Sequence, residues 1–167
     1  MADINSTQRD QMLEILALLD NLKKAKAKLV TAESCTGGLL AAAITDFNGV
    51  SAFYERGFIT YSNESKTEEL GVPAELITKH GAVSAEVSGA MAEGAIKNSR
   101  ANVSVAITGI AGPTGGSAEK PVGLVFIATS YNGKTEVHKL NFSGDRDEIR
   151  HSAVDKAVDL LNSLLSS

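Results

Sequence analysis

The residue types best suited to chemistry concentrate in the stretch Thr31-Ala-Glu-Ser-Cys-Thr-Gly-Gly38. Lys28-Leu-Val-Thr-Ala32 reads as a short buried strand, and the apolar run at 39–44 as the start of a helix. A strand-to-helix turn leaves backbone N–H groups unpaired at the helix start, and glycines let a ligand approach them closely. A hydroxyl placed there is either part of an anion-binding loop or a nucleophile beside its own oxyanion hole, with donors from Cys35, Thr36, Gly37 and Gly38. Ser34 and Cys35 compete for the nucleophile's role. A thiolate is the stronger nucleophile and a helix start lowers a thiol's pKa, yet a small residue here can simply fill space. Spacing leaves that choice open.

Such a nucleophile needs a base. The three histidines, His80, His138 and His151, are scattered and lack metal-ligand spacing, so neither a metal site nor a Ser-His-Asp triad has support. Lys66 is the better candidate. It lies in the first turn of a helix predicted to begin at Ser62 or Asn63, where the positive end of the helix dipole disfavours a cation. With burial, that placement depresses the amine's pKa and leaves a fraction able to take a proton from a serine. Tyr61, at the preceding strand end, is placed to relay a proton or orient the amine. The competing reading makes Lys66 a surface residue paired with Glu69 at i+3. Glu33 is equally a base or a partner for nearby backbone donors.

The densest run of glycine is Gly109-Ile-Ala-Gly-Pro-Thr-Gly-Gly-Ser117. With Thr108 it offers consecutive N–H groups and hydroxyls, as an anion nest does, or it is a plain glycine-rich connection. It is not a P-loop, and no G-x-G-x-x-G follows either strand. Lys120 and Arg146 are the nearest cations, and each suits an ion pair better than a phosphate clamp.

The elements that must position these groups follow from periodicity. Ser6 or Thr7 can cap a first helix with Met12, Ile15, Leu19 and Leu22 on one face. Residues 23–28 form a small basic patch that suits a helix C-terminus. Residues 52–61, rich in aromatic and β-branched types, read as a second strand. Short helices follow through Leu70 and over 74–79, and Ser84 caps a longer one to about 99 with Val87, Met91 and Ala95 inward. Residues 102–108 form a third strand. The runs 122–130 and 134–142 are joined by Tyr131-Asn132-Gly133, a strong hairpin signal. A final helix from about 145 carries Ile149, Ala153, Ala157, Leu160 and Leu164 on one stripe. Strands alternating with helices, then a hairpin, predict a single α/β domain: a mixed sheet of about five to six strands, helices on both faces, and ligands beyond the strands' carboxyl ends. Both glycine-rich turns follow strands, so they are expected to meet at one sheet edge.

Bulk properties narrow the function classes. At 167 residues the chain suits one domain spanning 1–167, and a net charge of -4 argues against a dedicated nucleic-acid binder. The lone Cys35 excludes an internal disulfide and fits a reducing cytoplasm. No apolar run reaches membrane-span length, and residues 1–9 are too polar for a signal peptide, so a cytoplasmic location is expected. Phe53 and Tyr54 fit either a homo-oligomer contact or the core.

The turn at 31–38, Glu55-Arg-Gly-Phe-Ile-Thr-Tyr-Ser-Asn63 with Lys66, His80-Gly-Ala-Val-Ser84, Gly109-Ile-Ala-Gly-Pro-Thr-Gly-Gly116 and Lys120-Pro-Val-Gly123 together resemble the CinA C-terminal domain family. The resemblance runs in order from about residue 8 to 165, without the N-terminal domain of longer CinA proteins. Stand-alone members include bacterial nicotinamide mononucleotide (NMN) amidohydrolases. The resemblance implies a three-layer α/β/α domain and a serine amidohydrolase that needs no metal or cofactor. It matches Ser34 as nucleophile, Lys66 as base and Tyr61 as an assistant. NMN would be the small-molecule partner, with no nucleic acid or membrane involved. Its phosphate then needs an anion site, for which Asn63, Thr108, Gly109, Gly112, Gly115, Gly116 and Arg146 are candidates. Two other classes compete: a non-catalytic nucleotide-binding module on the same loops, and a hydrolase dependent on Cys35.

Overall fold

Five strands, β1 Leu29–Glu33, β2 Tyr54–Ile59, β3 Val103–Gly109, β4 Leu124–Tyr131 and β5 Lys134–Asn141, form one mixed sheet in the order β2-β1-β3-β4-β5. The first three are parallel, and β4 and β5 each run antiparallel to the strand before. The structure is a computed structural model describing residues 5–167, so residues 1–4 of the polar N-terminal stretch lie outside it. Six α-helices cover the sheet: α1 Ser6–Ala25, α2 Leu39–Thr45, α3 Asn63–Leu70, α4 Ala74–His80, α5 Ala85–Lys97 and α6 Arg146–Ser166. None of the described helices is long and apolar enough to cross a membrane.

Side-chain alternation along the central strands sorts these helices into two layers. Leu29, Val103, Val105, Ile107 and Ile127 face one way, against Ile15, Leu22, Leu40, Ile44, Ile149 and Ala157 of α1, α2 and α6. Val30, Ala32, Ala106 and Ala128 face the other, against Leu70, Ile77, Val87, Met91 and Ala95 of α3, α4 and α5. That is the expected α/β/α arrangement, a single domain with five strands. The hairpin at Asn132-Gly133 also forms, with both residues at positive φ (52° and 76°) as a two-residue primed turn requires.

Three expectations change. Asn5, not Ser6 or Thr7, caps α1, because Asn5 and Gln8 satisfy each other's backbone N–H in a capping box. The buried stripe of α1 is Ile15, Leu18 and Leu22, preceded by half-buried Gln11; Met12, about 100° further round the helix, is 41% exposed, and Leu19 is only half-buried. On α6 the stripe begins as expected at Ile149, Ala153 and Ala157. It then passes to Val154, Val158 and Leu161, leaving Leu160 and Leu164 half-buried. Phe53 and Tyr54 pack against the core, and the Tyr54 hydroxyl lies 2.8 Å from Thr31 Oγ1, so the core reading holds for both.

Candidate active site

Three parallel strand ends meet where the chemistry was expected. Glu33, the last residue of β1, is in register with Ile59 of β2 and Ile107 of β3. The Thr60 N–H donates to Glu33 O at 2.9 Å, and the Ser34 N–H donates to Ile107 O at 2.9 Å. Ser34 therefore leaves the sheet between the residues that follow β2 and those that end β3. The two glycine-rich turns do converge at one sheet edge.

The turn after β1 is fixed from several directions. Gly37 and Gly38 take positive φ (57° and 101°), which a side chain would strain. The buried Glu33 carboxylate accepts the Leu40 N–H at 2.9 Å and the Ala41 N–H at 3.1 Å, satisfying two open donors of α2. Of its two readings, Glu33 takes the structural one. Its oxygens are occupied by the helix start, where the dipole favours a negative charge.

Lys66 is 1% exposed, which overturns the surface reading and its pairing with Glu69. Ser62 caps α3 by accepting the Ser65 N–H, and the helix projects Lys66 inward in its second half-turn. The ammonium nitrogen donates to Thr60 O at 2.7 Å and to Ser34 Oγ at 3.1 Å, with a longer contact to Ser62 O at 3.5 Å. Burial lowers its pKa below the ordinary lysine value of 10.5, opposed in smaller part by Cys35. Cys35 in turn is 7% exposed and packs into the core of α1, α2 and α6, and burial pushes its thiol up to about 11. A thiol so placed stays protonated at neutral pH, whereas the Ser34 hydroxyl faces the amine.

These groups open on a cavity of about 280 Å³, just below the usual range for small-molecule sites of about 300 Å³ and up. Of the expected residues, Ser34, Cys35, Tyr61, Lys66, Thr108, Gly109, Gly112, Gly115 and Arg146 line it. Five do not. Thr36, Gly37 and Gly38 belong to the half of the turn that faces α6 and β2: a Cβ on Gly37 would come 3.6 Å from Arg150, and one on Gly38 3.1 Å from Ile59. Asn63 lies over a neighbouring hollow with Thr67, Ala74 and Thr78. Gly116 packs on the main chain at Val122, where a Cβ would stand 2.8 Å from the nitrogen. Tyr61 sits at the rim, 61% exposed, and its hydroxyl is hydrogen-bonded by Arg146 Nη2 at 3.2 Å rather than by Lys66. Arg146 Nη1 also donates to Gly112 O at 2.8 Å, bracing the second loop. Lys120 is spent elsewhere, donating to His80 O at 2.6 Å.

The sequence pattern gave no role to Ala82, Val83 or Arg150. Ala82 and Val83 complete an apolar wall, and the Thr108 hydroxyl holds that wall by donating to Ala82 O at 2.9 Å. Arg150 donates through Nε to Cys35 O and through Nη2 to Thr36 O, each at 3.1 Å. A signal for it existed: Arg150 sits between Ile149 and Ala153 on the inward side of α6, an unusual place for a cation without a task.

Known proteins share this sequence pattern and this fold. The family model described as the CinA C-terminal domain matches residues 13–165. A CinA-like protein of Citrifermentans bemidjiense is 49% identical over 94% of this chain, and a competence-damage inducible protein of Clostridium botulinum 46% identical over 95%. The chain spans only 37% and 38% of those two relatives' lengths. Among solved structures, the competence/damage inducible protein CihA of Agrobacterium tumefaciens superposes with a TM-score of 0.92 at 43% identity, covering all of both chains. The CinA superfamily protein of Escherichia coli follows at 0.88 and 35% identity, covering 94% of this chain and 90% of that one.

Proposed function

The chain belongs to the CinA C-terminal domain family, and on that premise we propose that it is a Ser/Lys amidohydrolase converting NMN and water to nicotinic acid mononucleotide and ammonia. The observation that carries this reading is the 3.1 Å contact between Ser34 Oγ and a buried lysine whose pKa is lowered. A desolvated amine can be neutral where an exposed one is charged, and only the neutral amine accepts a proton.

In the proposed reaction, neutral Lys66 takes the Ser34 proton as Oγ bonds to the carboxamide carbon. The resulting oxyanion is assigned to the Cys35 N–H, which has no main-chain acceptor among the described residues. One such donor is worth about 10²–10³ in rate. The Lys66 ammonium gives its proton to the amide nitrogen as the C–N bond breaks, so that nitrogen leaves as ammonia. Water attacks the acyl-enzyme with neutral Lys66 again as base, the carboxylic acid forms, and the proton passes back to Ser34 Oγ. The pyridine ring fits against Ala82 and Val83. The substrate phosphate is assigned to the loop at 109–115 and the Arg146 guanidinium at its rim, where Tyr61 steadies Arg146 instead of relaying a proton.

The test is ammonia release from NMN by the wild type, Ser34→Ala, Lys66→Ala and Cys35→Ala. The reading expects loss in the first two variants and retention of most turnover in the third, because position 35 contributes its amide. NMN binding without ammonia release by the wild type would instead indicate a nucleotide-binding module. Loss confined to Cys35→Ala would indicate cysteine chemistry.

A further inference from the structure

Arg150 lies behind the nucleophile turn, outside the lining of the cavity, and both of its hydrogen bonds go to main-chain carbonyls. Each of those carbonyls shares a rigid, planar peptide unit with the next residue's N–H, which points the opposite way. Holding Cys35 O therefore turns the Thr36 N–H away from Arg150. Holding Thr36 O does the same for the Gly37 N–H, which donates to Ser34 O at 3.1 Å. Ser34 O shares its own peptide unit with the Cys35 N–H. The direction of that N–H is thus set through two peptide planes in series, starting at Arg150.

Resting on the Ser34/Lys66 reading above, we infer that Arg150 is a positioning residue that aims the Cys35 N–H, and with it the oxyanion site, by clamping the carbonyls of Cys35 and Thr36. A planar guanidinium suits this task because it presents two donors in fixed relation, which an ammonium does not. Gly37 supports the same arrangement: its positive φ turns the chain back within 3.6 Å of Arg150 Nη2, measured from where a Cβ would stand. The guanidinium is half-buried and its charge reaches the Cys35 side chain, so it also favours negative charge developing at the turn.

The experiment measures the burst rate of Ser34 acylation by 4-nitrophenyl acetate, with intact mass confirming the acyl group, beside steady-state ammonia release from NMN. Wild type, Arg150→Ala, Arg150→Lys and Ser34→Ala are compared, with thermal melts of each and with added guanidinium or ammonium chloride. The expected result is acylation roughly 10²-fold slower in Arg150→Ala, the weight of one misaimed donor, with KM for NMN little changed. Guanidinium, but not ammonium, should restore part of that rate, and Arg150→Lys should be slowed by about tenfold because it reaches one carbonyl only. Acylation of Arg150→Ala at the wild-type rate overturns the inference, and so does a loss that guanidinium leaves unrestored. Should Arg150→Ala not fold, Arg150→Lys decides: a wild-type rate overturns the inference, and a slowed kcat at unchanged KM supports it. A wild type that acylates Ser34 but leaves NMN intact sinks the substrate assignment alone, while one that never acylates Ser34 sinks both.

Discussion

Two glycine-rich turns leave adjacent strands at the same sheet edge, and they are held in opposite ways. The turn after β1 is pinned from within: Glu33 ties it to α2, the Ser34 N–H to β3, and Arg150 to α6. The loop after β3 is largely exposed and is braced at separated points, by Arg146 on Gly112 O, by Ser117 with Lys120, and by the Gly123 N–H on Ile110 O. The difference matches the demands of each. Bond-making tolerates little misplacement of the reacting atoms, whereas a loop that receives a ligand must admit and release it. Under the proposed function, chemistry falls on the pinned turn and recognition on the braced one.

Breaking the pinned side should have the largest effect. Lys66→Met is expected to lower turnover by at least about 10³-fold, the combined loss of base and acid, read as ammonia release. It also tests the buried amine through stability. Because the folded pKa lies below the unfolded value of 10.5, the unfolded chain binds more protons between the two. Wild-type stability should therefore rise with pH across that window and be lost as pH falls through the lowered folded value. A melt series in Lys66→Met should lack that slope. Glu33→Gln comes next: weakening two charge-assisted bonds to buried amides should cost about 1–3 kcal/mol in denaturant unfolding, with kcat falling more than KM rises. On the braced side the pattern should invert. Arg146→Ala is expected to raise KM for NMN about tenfold with kcat less affected, as for one lost charged contact to phosphate. Gly115→Ala, at φ 89° with an added Cβ in ordinary contact with Ile110 at 3.8 Å, should weaken binding by about 1 kcal/mol through backbone strain and leave Ser34 acylation alone. The smallest effect belongs to Thr36→Val. The buried Thr36 hydroxyl has no hydrogen-bond partner among the described residues, so an apolar isostere should be neutral or stabilise by up to about 1 kcal/mol. A kcat loss in Arg146→Ala larger than its KM change would erase the contrast between the two turns.

Much of this arrangement was legible in the residues. Alternation located β3 and the hairpin, the 3.6-residue period located α5, and the order of residue types in 31–38 marked the turn. A cation at a helix start marked Lys66 as a candidate base beside a surface alternative, and the family resemblance matched it to Ser34; burial is the leading cause of its lowered pKa. What was not legible depends on contacts distant in sequence. Which half of the turn faces the cavity is decided by α6, and Tyr61 meets Arg146 across 85 positions. Arg150 reaches the turn across 115. Met12 shows the same limit in the core: its face of α1 depends on where α6 lies, as the Gln11–Asp155 contact at 2.6 Å shows.

Arg146 and Arg150 sit one turn apart on α6, so their spacing along the helix axis is fixed at about 6 Å. One rigid rod thereby grips the mouth of the cavity with one hand and the floor with the other. Any influence that rocks this rod, even at its distant end near Leu161, would disturb grip on the ligand and aim of the nucleophile together. Under the proposed function, the helix is thus a single lever through which affinity and rate would move in step.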